Sequence, residues 1–138
     1  MSEEVRGVLL ALAEEALELQ RAGEDVMTAI SAEGPLAELS VRAGPLISRF
    51  EAMRRELRSC RPDEPLLRSA AEVLDMVFAN HALALHAGLD MLAVSWRSER
   101  MRDELHRLDG LGRPAVWLQT IRDELAEGQE APLAGPDR

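Results

Sequence analysis

The residues of this 138-residue chain with the widest chemical repertoire are three histidines, one cysteine and a few glycines. Their spacing narrows what they can do. His81 and His86 stand five positions apart, which on a helix turns the two rings about 140° away from each other, so they cannot share a metal as an i, i+4 pair would. A helical di-iron site also needs Glu followed three residues later by His, and the chain has no such pair. His81 lies on an apolar line and is expected as a core or interface histidine with one hydrogen bond. Cys60 has no second cysteine for a disulfide and no catalytic histidine paired with it in sequence, so it reads as a small apolar residue. Gly110, Gly112 and Arg113 could receive an anion at the start of the last helix, although a turn is the commoner use of such a string. No Gly-rich loop follows a strand. The expectation is a protein that is no enzyme, with no catalytic residue, cofactor or metal.

The elements that carry these residues are helical by composition and spacing. Leu (22) and Ala (20) far outnumber Val, Ile and Thr taken together (13), a balance that favours helix because unbranched side chains lose little rotamer freedom there. Val5, Leu9, Leu12, Ala16, Leu19, Gly23, Val26 and Ile30 alternate at steps of four and three, predicting a helix over 2–31 that Gly34-Pro35 closes. Leu36, Leu39, Ala43, Leu46, Phe50, Met53, Leu57 and Cys60 predict a second helix over 36–61, with a break near Gly44-Pro45. The in-register spacing also permits a kinked continuous helix.

The third segment keeps a stripe from Leu66 through Ala70, Val73, Val77 and onward to Met101, Leu105 and Leu108, predicting one helix over 65–109, roughly 65 Å long. A second line, Leu67, Leu74, Phe78, His81, Leu85, Leu89, Leu92 and Trp96, widens its apolar face over the first two-thirds. Asp109 to Pro114 reads as a turn. A short amphipathic helix over 114–127 follows, with Trp117, Leu118, Ile121 and Leu125 on one side, then a flexible tail over 128–138. The predicted architecture is all-α: an elongated antiparallel bundle, or coiled-coil hairpin, of three long helices plus the short C-terminal one, in a single domain over 1–127.

Charge sets the expected partners. The chain carries −9 overall, which argues against a phosphate backbone, and its four aromatics provide no stacking platform for single strands. Residues 1–40 hold nine acids and two Arg, whereas residues 41–62 hold six Arg and two acids. Antiparallel pairing of the first two helices would bring these signs together. No apolar run approaches the ~18 to 20 residues of a membrane span, and Glu3 and Glu4 follow Met1 where a signal segment would be basic and then apolar. A cytoplasmic protein without membrane insertion and without nucleic acid is expected.

Several of these features resemble known families. Asn80-His81-Ala82-Leu83-Ala84-Leu85 resembles the motif of histidine phosphotransfer domains at His81 and Leu83, but Ala84-Leu85 stands where that family carries Lys-Gly. A broader resemblance is to the flagellar and type III export chaperones of the FlgN family. It rests on Glu14-Glu15-Ala16-Leu17 with Asp25-Val26, on Arg54-Arg55-Glu56-Leu57 ending a basic second helix, on Asn80 ahead of an Ala- and Leu-rich stretch, and on Asp109-Gly110-Leu111-Gly112-Arg113. It covers residues 1–113 in layout. Gly34-Pro35 and Gly44-Pro45 depart from it, as does the absence of Lys and Tyr. The resemblance implies a chaperone that binds the helical terminal segment of a hook-associated protein and delivers it to the export apparatus. The expected partner surface is Met101, Leu105 and Leu108 with Trp117, Leu118, Ile121 and Leu125. Two other readings are a phosphorelay domain using His81 or His86, and a coiled coil that forms a homodimer through the third stripe.

Overall fold

A computed structural model of the chain describes residues 2–130, and these are all-helical, with five helices and no strand among them. The first, α1, spans Ser2–Ser31, and its predicted stripe faces inward: Leu9, Leu12, Ala16, Val26 and Ile30 are buried. It ends where expected, but Glu33, not Gly34, takes the left-handed cap, with φ 56°. The Gly34 amide then bonds to the Ala29 carbonyl at 2.9 Å, the 6→1 bond of a Schellman cap. Gly34 serves close approach instead: a Cβ there would stand 3.1 Å from the Ala29 carbonyl oxygen.

Helix α2 spans Leu36–Cys60 without the predicted break. Pro45 lacks an N–H, so one intrahelical bond is lost, yet Pro45 and Val41 both face solvent, where water can satisfy the freed carbonyl. Its inner face carries Leu39, Ala43, Phe50, Met53 and Leu57. Arg61, with φ 44°, caps its end, and the Arg68 guanidinium donates to the Pro62 and Asp63 carbonyls to hold the turn into the next helix.

Helix α3 spans Pro65–Ala93, and the predicted continuous helix over 65–109 is not formed. Val94 turns extended (φ −64°, ψ 127°), and a separate α4 follows over Glu99–His106. Two local interactions decide the break. The Arg97 guanidinium donates to the carbonyls of Met91, Leu92 and Val94, taking up acceptors that a longer helix would have filled. Ser98 then opens α4 as its N-cap, its hydroxyl accepting from the Met101 amide at 3.1 Å. The seven-residue spacing survives the break because both helices still present an apolar side inward. Within α3 the buried side chains of the two predicted lines are Leu67, Leu74, Phe78, His81, Leu85 and Leu92 of the second together with Ala70 and Val77 of the first; Leu66 of the first line is 73% exposed, Leu89 of the second is half-buried, and Trp96, beyond the helix, is 73% exposed.

Helix α5 spans Arg113–Glu130, somewhat longer than predicted, and packs on α1 and α3. The predicted tail falls largely on residues 131–138, which lie outside the described residues. Contacts give the directions. Arg54 meets Asp75 and Phe50 meets Phe78, so α2 and α3 are antiparallel. Gly23 faces Leu85 and Gly88 faces Ile30, so α1 and α3 are parallel. Arg122 meets Glu14 and Ala115 meets Gln20, so α5 returns antiparallel to α1. The four longer helices thus run up, down, up and down, with α4 in the last crossover. The parallel pair α1 and α3 lies between α2 and α5, and burial of Leu, Ala and Phe side chains is the main stabilising term. The expected sign pairing is present: Arg49 grips Glu15 of α1 with two guanidinium nitrogens, one at 2.7 Å.

Candidate functional site

Two polar clusters and one apolar groove stand out on this frame. The first cluster is buried. His81 is wholly inaccessible, and its Nε2 lies 2.8 Å from Gln20 Oε1. Gln20 Nε2 in turn donates to the Ala115 carbonyl at 3.4 Å, which orients the amide with its oxygen toward the ring. His81 Nε2 is then the protonated nitrogen, and Nδ1 has no hydrogen-bond partner. Phe50 packs edge-on against the ring at 5.3 Å between centroids. Burial pushes the imidazole pKa down to about 4, so the ring is neutral near pH 7. These contacts join α1, α3 and α5 with a side chain of α2. They are the single hydrogen bond expected for a core histidine.

The second cluster gathers three helix ends on one carboxylate. Glu33 Oε1 accepts from Arg97 at 2.7 Å, Glu33 Oε2 accepts from His106 Nε2 at 2.8 Å, and Arg102 stands 3.8 Å away. The bonds from His106 and Arg97 hold the Glu33 carboxyl below the usual carboxylate range. Ser31 adds a bond from its hydroxyl to the His106 carbonyl. The cluster ties α4 to the C-terminal ends of α1 and α3.

The groove opens at the other end of the bundle, between the first turns of α3 and the later turns of α5. It encloses about 460 Å³ over a floor of Ala70, Val73, Ile121 and Leu125, with the exposed Leu66 at its mouth. Arg6 of α1 forms its inner wall; its Nε is buried without an acceptor, and Glu3 stands 4.0 Å from that nitrogen. Glu124 and Glu127 of α5 line its outer edge. The volume falls in the range of ligand-binding clefts.

Of the expected partner surface, the structure brings only part together. Leu105 and Leu118 are fully buried and Leu125 is 3% exposed, so these three are core. Met101 and Trp117 keep about two-fifths of their surface, and Leu108 and Ile121 are half-buried. Ile121 and Leu125 line the groove, whereas Met101, Leu105 and Leu108 belong to the opposite, α4 end. The C-terminal helix is therefore docked as a structural member. Leu66, Val73 and Arg6 were absent from the sequence-based surface. The available signal was the departure of Leu66 and Val73 from the central line of α3.

Other chemical expectations are placed as follows. Full burial closes His81 to a phosphodonor protein in this conformation, while His86 lies exposed on α3. Cys60 is half-buried; burial and the Glu56 charge push its thiol pKa up, so the reactive thiolate is disfavoured. No group of three or more metal-ligating side chains occurs among the described residues. None of the described helices is long and apolar enough to cross a membrane. The fold and groove define an all-helical protein with an apolar cleft at one end. No family model, curated protein or solved structure matches the chain.

Proposed function

We propose that this protein is a binding protein for an amphipathic helical segment, acting as an export chaperone of the kind its sequence resembles. The client would be a flagellar hook-associated protein whose terminal helix needs cover before secretion. The observation that supports this reading is the α3/α5 groove, in which Leu66 stands 73% exposed beside Val73 and Ile121. A large aliphatic side chain left in water at the mouth of an apolar cleft gains by covering, and helix-in-groove recognition supplies such a cover through anchors at i, i+3 or i+4, and i+7. The role needs no titratable group, cofactor or metal, and the cytoplasm is where a client awaits export.

The test is co-purification with a hook-associated protein carrying its terminal helix. Wild type retains the client, and Leu66→Glu and Val73→Glu lose it while keeping the helical circular dichroism of the wild type. Retention by both variants overturns the groove as the client site. Failure of wild type to retain any such client overturns the chaperone reading.

A further inference from the structure

The groove also carries information about what kind of helix it would take. Its floor is apolar, but its charges are arranged unevenly. Arg6, the one cation in its lining among the described residues, is turned inward, with its side chain 16% exposed and Glu3 already at 4.0 Å. On the outer edge Glu124 is exposed and makes no ion pair among the described residues, and Glu127 stands one turn further along α5. A segment lying over the floor meets carboxylates at its flank. The other arginines near this end are engaged elsewhere: Arg68 is turned to the Pro62 and Asp63 carbonyls, across α3 from the groove, and Arg122, next to Ile121, is held by Glu14 and Asp123.

From this arrangement we infer that the α3/α5 groove selects a basic amphipathic helix, one whose apolar anchors sit on Leu66, Val73 and Ile121 while an adjacent Lys or Arg faces Glu124. The inference rests on the helix-binding reading above and adds the charge of the partner to it. Two terms divide the work. Apolar burial on the floor supplies most of the affinity. The carboxylate edge supplies discrimination, because a like charge brought beside Glu124 is repelled while an opposite charge is attracted.

Three labelled peptides of equal length and identical Leu anchors test this by fluorescence anisotropy: one flanked by Lys, one by Glu and one by Gln. The Lys peptide is expected to bind wild type about fivefold tighter than the Gln peptide, as one solvent-screened pair allows, and the Glu peptide more weakly still. Glu124→Lys should reverse the order, and 0.5 M salt should flatten it to within about twofold. Equal binding of all three peptides, each lost on Leu66→Glu, overturns the charge selection and leaves the helix-binding groove standing. Absence of binding by every peptide overturns both. Two further results overturn the inference by naming another occupant: a dimer in light scattering that Leu66→Glu converts to monomer, or tighter peptide binding by a chain ending at Glu130.

Discussion

Glu33 and Arg97 share an ion pair of 2.7 Å that ties the left-handed cap of α1 to the carbonyl end of α3, although 64 positions separate them in the chain. Arg97 spends its other terminal nitrogen on the Met91 and Leu92 carbonyls of α3 and on that of Val94 just beyond it, so the same side chain holds the break between α3 and α4. Removal of the carboxylate should loosen α4 first, because α4 contributes one buried apolar side chain, Leu105, to the core. Glu33→Ala is expected to speed amide exchange over 99–106 well beyond any change in α2, since such local openings draw on few contacts. Uniform acceleration across all helices would instead make Glu33 part of global stability.

The buried His81 makes stability depend on pH in one direction. Its folded pKa is about 4, below its ordinary value of 6.5, so the unfolded chain takes up a proton first as pH falls. The contribution is fully present above about pH 6.5 and is lost progressively towards pH 4, amounting at most to about 3 kcal/mol. Urea unfolding at pH 7.5 and pH 5 reads the loss. A His81→Leu variant should flatten the profile over that window, at the expense of leaving Gln20 Oε1 without its donor. A wild-type profile as flat as that of the variant would show that the folded protein admits the proton.

Leu118 distinguishes core from partner surface. Fully buried on α5, it should lower stability by about 2 to 5 kcal/mol when cut to Ala. Deletion of 114–138 removes Leu118 and Leu125 together and should cost much of the cooperative thermal transition. A truncated chain that melts like the full one would return these residues to the partner surface.

Two glycines should respond to Ala with opposite signs. Gly110 has φ 57°, and an added Cβ would meet Glu24 Oε2 at 2.8 Å, so Gly110→Ala should destabilise by about 1 to 2 kcal/mol. Gly7 sits inside α1 facing open space, so Gly7→Ala should stabilise by up to ~1 kcal/mol. Thermal midpoints of the two variants, moving down and up from wild type, provide the check.

Periodicity made most of the elements legible and local capping made the rest hard to see. The stripes of α1 and α2 mark the centre of each buried face, because burial and a 3.6-residue repeat leave few other arrangements, although Ala13, Gln20 and Met27 beside the α1 stripe are buried too and Leu36 of the α2 stripe is exposed. The α3 segment misleads for the same reason. Its spacing continues through Val94 to Ser98, while the break depends on Arg97 donating to three nearby carbonyls and reaching Glu33 just past α1, and on the Ser98 cap, none of which apolar spacing encodes. Pro45 misleads in the opposite sense: a strong local breaker is tolerated because its lost bond faces water. In the candidate groove, Ile121 and Leu125 were legible from their helix. Leu66 and Arg6 were not, since their places depend on how α1, α3 and α5 pack together at one end of the bundle.

The chain has no tyrosine, so emission excited to the red of the phenylalanine band comes from Trp96 and Trp117 alone. Trp96 is 73% exposed in the link between α3 and α4, and Trp117 stands one turn before Ile121 on α5. The two indoles are therefore separate optical reporters. With Trp117→Phe, the remaining signal follows detachment of the α4 end. With Trp96→Phe, it follows the packing of the first turns of α5 on the bundle, and the two variants together resolve events at α4 and at α5 that a single melting curve would merge.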